Sequence, residues 1–185
     1  MKPRTLYQYV VLASLLVAAS PGPSRAQDAP AQKPEQQASR ARGIVAFLAG
    51  GAAGLIAHEG GHIVTGFVQG ANPGFRRLDA GVIPFFAVTH DPVSRRGEYV
   101  IASSGFHAQH LANEVLLWRG APGPTPRSGS AFRKGWLTFN LATSTVYTVA
   151  ALGEFGPGER DTLGMATYAG DGGVPEPLIG VLILA

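Results

Sequence analysis

Apolar positions gather in one long run and recur with helical or alternating spacing elsewhere. From Gly43 to Val68 the chain is almost wholly apolar, and fourteen residues in a row (IVAFLAGGAAGLIA) precede His58. Only His58, Glu59 and His62 can ionise within this stretch. A helix of this length crosses a hydrocarbon layer of ~30 Å. Gly50 and Gly54 have the small-xxx-small spacing that lets a second helix approach closely. Residues 99–118 are apolar with helical period on one side and carry His107, Gln109, His110, Asn113 and Glu114 on the rest. Residues 131–152 form another apolar helical stretch, opened by Arg133 and Lys134.

Between these stretches the punctuation changes. Residues 69–97 hold Arg76, Arg77, Arg95 and Arg96 around a short apolar piece (GVIPFFAVT), with Ala80-Gly81 and His90-Asp91-Pro92 as breaks. This predicts a short β-hairpin at a membrane surface. Residues 121–130 (APGPTPRSGS) and 153–161 (GEFGPGERD) read as loops. The chain closes on eight apolar residues, 178–185, too few to span. That uncapped end reads as the truncation of a longer protein.

The N-terminus has the features of a secretory leader over residues 1–26. Lys2 and Arg4 precede an apolar core, Pro21 and Pro23 break it, and Ser24-Arg25-Ala26 is a small-x-small cleavage site. Residues 27–42 (QDAPAQKPEQQASRAR) offer nothing for a core and predict a flexible extracytoplasmic linker. The remaining residues, 43–185, form the domain. A cleaved leader leaves the linker outside and the four arginines of 69–97 inside, as positive charge prefers. If residues 99–118 then span, Arg119, Arg127, Arg133 and Lys134 fall outside, against the same rule.

Composition narrows the chemistry. Hydrophobic residues are 45% and charged residues 15% of the 185, against about 25% charged in ordinary soluble domains. Cysteine is absent, which excludes disulfides, thiolate zinc sites and thiol nucleophiles. The formal charge of +3 disappears once Lys2, Arg4 and Arg25 leave with the leader. No basic run remains, so nucleic acid is not an expected partner. Together these features predict an all-α polytopic membrane protein, a transmembrane helix bundle with a short surface β-hairpin. The expected location is the inner or plasma membrane, with the lipid bilayer as partner. Arg76-Arg77 and Arg95-Arg96 are expected at lipid headgroups, and Trp118 and Trp136 at the interface.

The chemistry sits in His58-Glu59-Gly60-Gly61-His62, an H-E-x-x-H sequence. Residues four apart share a helix face, so both imidazoles can reach one Zn²⁺. Glu59 lies beside them, placed to take a proton from a water that zinc has acidified. Burying a carboxylate in a membrane helix costs about 2.5–3.5 kcal/mol, and a metal offsets that cost. A third ligand must come from elsewhere. Asp161 follows an apolar helix and a Gly-Pro turn, where a carboxylate can return to the membrane edge. Asp171, in a Gly-rich turn, and Glu114, on the helix of 99–118, are the alternatives. His107 and His110, with Glu114 beyond them, are expected as a polar seam or support around the zinc. His90 is expected to be ordinary surface, and Thr143-Ser144-Thr145 to bond back onto their own helix.

An H-E-x-x-H inside an apolar helix resembles the site-2 protease family of intramembrane zinc metalloproteases. The resemblance covers residues 43–70. It implies His58 and His62 as zinc ligands, Glu59 as catalytic base, and an embedded or membrane-adjacent protein as substrate. Ser103-Ser104-Gly105-Phe106 stands where that family has a Gly-Pro helix, without the proline. The family's third ligand is an aspartate in an Asn-x-x-Pro…Asp-Gly context. Asp171-Gly172-Gly173 matches its last part alone, and Asn140 lacks the proline. The resulting expectation is zinc-dependent peptide-bond hydrolysis in or beside the membrane. The competing class is a non-enzymatic metal-binding or assembly protein of the cell envelope. A complete third-ligand geometry separates the two.

Overall fold

The computed structural model describes residues 34–80, 83–119 and 130–184. The leader and the first part of the linker lie outside the described residues. In chain order the elements are α1 (Pro34–Val68), β1 (Gly74–Ala80), β2 (Ile83–Thr89), α2 (Arg95–Arg119), α3 (Ala131–Leu152), α4 (Asp161–Tyr168) and α5 (Glu176–Leu182). The helix α1 begins within the stretch expected as flexible linker. Residues 34–42 hold glutamine, alanine, glutamate and arginine, all good helix formers, and continue the apolar helix by its N-terminal end.

At its other end α1 stops in a Schellman motif. The Gly70 N–H bonds the Phe67 carbonyl at 3.0 Å and the Ala71 N–H bonds the Gly66 carbonyl at 2.8 Å. Gly70 takes the left-handed conformation this closure needs, at φ 69°. The chain then enters the hairpin, whose strands pair antiparallel from Gly74↔Thr89 to Ala80↔Ile83. This is the short hairpin the breaks in the sequence predict. Ser130 caps α3 by accepting from the Arg133 N–H at 3.2 Å.

Two close helix crossings organise the fold around α1. Against α3, a Cβ on Gly50 would overlap the Phe132 carbonyl, and one on Gly135 would overlap the Phe47 carbonyl. A Cβ on Gly54 would come within 2.7 Å of the Phe139 ring. The Gly50/Gly54 spacing is therefore used as its pattern suggests, with α3 as the partner. Against α2, a Cβ on Gly61 would lie 2.5 Å from the Ser104 carbonyl oxygen. The apolar end of the chain is covered on one side, with Ile179, Gly180 and Ile183 buried and Leu178, Val181, Leu182 and Leu184 exposed. The α5 helix packs on α3, with the Thr148 hydroxyl donating to the Gly180 carbonyl at 2.7 Å. Phe106, Met165, Ala166, Ile179 and Ile183 form the core that joins α2, α4 and α5.

The expected all-α polytopic transmembrane bundle is not what forms. Among the described residues, one helix is long and apolar enough to cross a membrane, over Glu35–Val68. The α2 helix carries Arg95, Arg96, Glu98, His107, His110, Glu114 and Arg119, too many ionisable groups for a span. The α3 helix has the length but is diluted by Arg133, Lys134, Asn140 and its hydroxyl residues. Helices α4 and α5, of 8 and 7 residues, reach only about 10–12 Å at 1.5 Å per residue. The expected interfacial role of Trp136 also fails, since that side chain is buried and bonded to Asn113. Arg76 pairs with Glu159, and Arg95 bonds the Thr167 and Gly170 carbonyls.

Candidate metal centre

The α1 helix turns His58 and His62 to one face, and both are buried where α2 crosses. That crossing is tight because Gly105 lacks a side chain. A Cβ there would stand 2.5 Å from His62 Nε2 and 2.8 Å from His58 Nε2. Phe106, the next residue, meets the His58 ring edge-on with centroids 5.3 Å apart. From the far end of the fold, the first residue of α4 completes the group. Asp161 Oδ2 lies 2.9 Å from His58 Nε2 and 3.3 Å from His62 Nε2, and the two Nε2 atoms are 3.3 Å apart.

The hydrogen bonds behind the imidazoles decide what these three atoms offer. His62 Nδ1 faces the Ile101 carbonyl at 2.8 Å. A carbonyl only accepts, so Nδ1 carries the proton and the neutral ring turns a lone pair outward at Nε2. His58 Nδ1 faces the Gln109 side-chain oxygen at 2.6 Å and is set in the same way. Two imidazole lone pairs and a carboxylate oxygen thus converge on one point. Without a proton or a metal cation between them such atoms repel. Tetrahedral coordination with bonds of about 2.0–2.1 Å separates ligand atoms by about 3.3 Å, close to the three edges observed. His58, His62 and Asp161 can therefore hold a metal ion.

Asp161 is ready for that role. Burial by itself would raise its carboxyl, but the positive charge of His62 and His58 when protonated, and the hydrogen bonds they then donate, outweigh burial and hold it well below the usual carboxylate range. It therefore stays an anion that a bound cation can take over from those protons. Its position is fixed through its neighbour. Arg160 forms a paired contact with Glu176, at 2.7 and 2.5 Å, and Thr162 donates to the same carboxylate at 2.6 Å. Arg160 and Glu176 are both largely shielded, their side chains 11% and 6% exposed. Removing one member leaves a buried charge unpaired, at about 3–5 kcal/mol. Glu176→Ala should therefore lower the melting temperature sharply and release the α4 start that carries Asp161. Thermal unfolding followed by circular dichroism reads the effect, and an unchanged midpoint would contradict it.

Glu59 stands outside the ligand group, yet it shares a cleft with His58, His62 and Asp161. This cleft has a volume of about 790 Å³ and largely apolar walls from α1, α3 and β2. His90 and Glu98 also line it, 3.6 Å apart, so His90 is part of the cleft wall and not ordinary surface. Asp171 and Glu114, the alternative third ligands, are exposed and outside the group. His107 and His110 are likewise exposed and do not support the metal site. The sequence reading missed Gln109 as the residue behind His58. Its one signal was position: Gln109 and Asn113 are four apart on a helix face distinct from that of His107 and His110. Thr145 does bond back to its own helix, at 2.8 Å to the Leu141 carbonyl. Comparison with protein-family models, curated proteins and solved structures finds no match to this chain.

Proposed function

We propose that the protein is a zinc-dependent hydrolase that cuts peptide bonds within or next to a membrane, to which α1 holds it. The observation that carries this reading is the convergence of His58 Nε2, His62 Nε2 and Asp161 Oδ2 beside Glu59, in an open apolar cleft. Two histidines and one carboxylate are a ligand set found in catalytic zinc sites, which keep a further position for water or substrate. In this reading His58, His62 and Asp161 hold the ion. When bound, zinc acidifies a water and polarises a scissile carbonyl. Glu59 accepts the water's proton as oxygen adds to the carbonyl carbon. It then delivers that proton to the leaving nitrogen as the C–N bond breaks.

The apolar walls of the cleft suit an apolar polypeptide, which fits an embedded or membrane-adjacent protein substrate better than a polar one. Membrane attachment is supported by the outward side chains of α1. Ile44, Val45, Leu48, Ile56, Val64 and Phe67 are all more than half exposed, an arrangement that water disfavours and lipid accepts. The proposed location is the inner or plasma membrane, with the residues before α1 on the extracytoplasmic side.

Metal removal tests the activity. Detergent-purified protein should cleave a membrane-anchored reporter peptide, lose that cleavage after dialysis against a strong chelator, and regain it with added Zn²⁺. Cleavage that survives complete removal of metal would refute the proposal.

A further inference from the structure

Behind His58 runs a chain of side chains, buried at Gln109, Asn140 and Trp136 and half-buried at Asn113, that the hydrolytic reading does not use. Gln109 and Asn113 lie four apart on α2, and Trp136 and Asn140 lie four apart on α3. The two pairs face each other. Trp136 Nε1 is 2.8 Å from Asn113 Oδ1, and Asn140 Nδ2 is 2.6 Å from the same oxygen. Gln109 Nε2 is 2.7 Å from Asn140 Oδ1, and Gln109 Oε1 is 2.6 Å from His58 Nδ1. Gln109 is 1% exposed, Asn140 3% and Trp136 8%.

We infer that Trp136 is a positioning residue for the metal site: its indole N–H sets the direction of the whole chain and so fixes the tautomer of His58. This rests on the metal-binding reading of His58, not on the proteolytic one. An indole nitrogen only donates. Asn113 must therefore present its oxygen to Trp136, and that oxygen accepts a second hydrogen from the Asn140 amide. Asn140 then has only its oxygen left to turn toward Gln109, which must donate. Gln109 in turn has only its oxygen for His58, so His58 Nδ1 carries the proton. The His58 Nε2 lone pair is left pointing at His62 Nε2 and Asp161. Reversing any one amide puts N–H against N–H or oxygen against oxygen. In a buried network that costs the full desolvation of the unpaired groups. His62 needs no such relay, because the Ile101 carbonyl fixes it directly.

The test is zinc affinity, read by competition with a chromophoric chelator, alongside the melting temperature of the metal-free protein. Gln109→Leu should weaken zinc binding about 10–100-fold, the usual effect of losing the partner behind a ligand. Trp136→Phe keeps the ring but loses the N–H, and should weaken binding in the same direction by less. The double variant should bind like Gln109→Leu alone, since a relay cut at its last link cannot be cut again. Independent effects would multiply instead, and multiplied losses overturn the inference. So does Trp136→Phe with a lowered melting temperature and unchanged zinc affinity, which marks a structural role only. Wild-type protein binding zinc no better than a His58→Ala/His62→Ala variant would overturn the metal reading itself, a different result from either.

Discussion

Purified protein should carry about one zinc per chain, as a single tetrahedral site requires, and a His58→Ala/His62→Ala variant should carry almost none. The two imidazoles supply two of the three converging donors, and Asp161 alone is then one half-buried carboxylate in the cleft. Asp161→Asn is the sharper test of the third position. It keeps shape and volume but replaces an anionic donor with a neutral amide. The affinity loss should exceed the about 10–100-fold typical of losing a mere supporting hydrogen bond. Asp171→Asn and Glu114→Gln should leave affinity unchanged, because both side chains are exposed and away from the site. Metal content by atomic emission and a chelator competition curve decide the matter. Equal zinc in wild type and the double histidine variant would remove the metal from this site. Full affinity in Asp161→Asn would assign the third ligand elsewhere.

Glu59→Gln should retain zinc and lose cleavage. On a helix Glu59 is about 100° round from His58, so its carboxylate borders the metal site without joining the ligand group. Glutamine keeps the size and can still hydrogen-bond a water, but cannot take its proton. General-base catalysis is worth about 10²–10⁴-fold, and turnover should fall at least that far. Zinc content and cleavage of a co-expressed membrane-anchored reporter are to be measured on the same preparation. Retained zinc with lost cleavage is the expected pair of results. Lost zinc would make Glu59 a ligand or a structural group. Undiminished cleavage would take the H-E-x-x-H sequence out of the chemistry.

Short-range geometry is legible in the residues themselves. An apolar run with H-E-x-x-H in its second half requires a helix with two imidazoles on one face, because the helical repeat alone brings residues four apart together. The Gly50/Gly54 spacing announced a close helix neighbour, and clustered breaks around GVIPFFAVT announced the hairpin. Tertiary structure decided the rest. Asp161 is 103 residues from His58; the apolar helix and Gly-Pro turn before it favoured it over Asp171, but no local feature brings it to the histidines. Packing of Met165 and Ala166 against Phe106 of α2, with Arg160 held by Glu176, brings α4 to the histidines. On α2, His107 and His110 looked more chemical than Gln109, but the crossing at Gly61 and Gly105 chose which face meets α1. It put the glutamine inside and the histidines in solvent. The polytopic expectation failed for the same reason. One-sided apolar period says that a helix face is covered, and whether lipid or protein covers it depends on neighbours that lie far away in the chain.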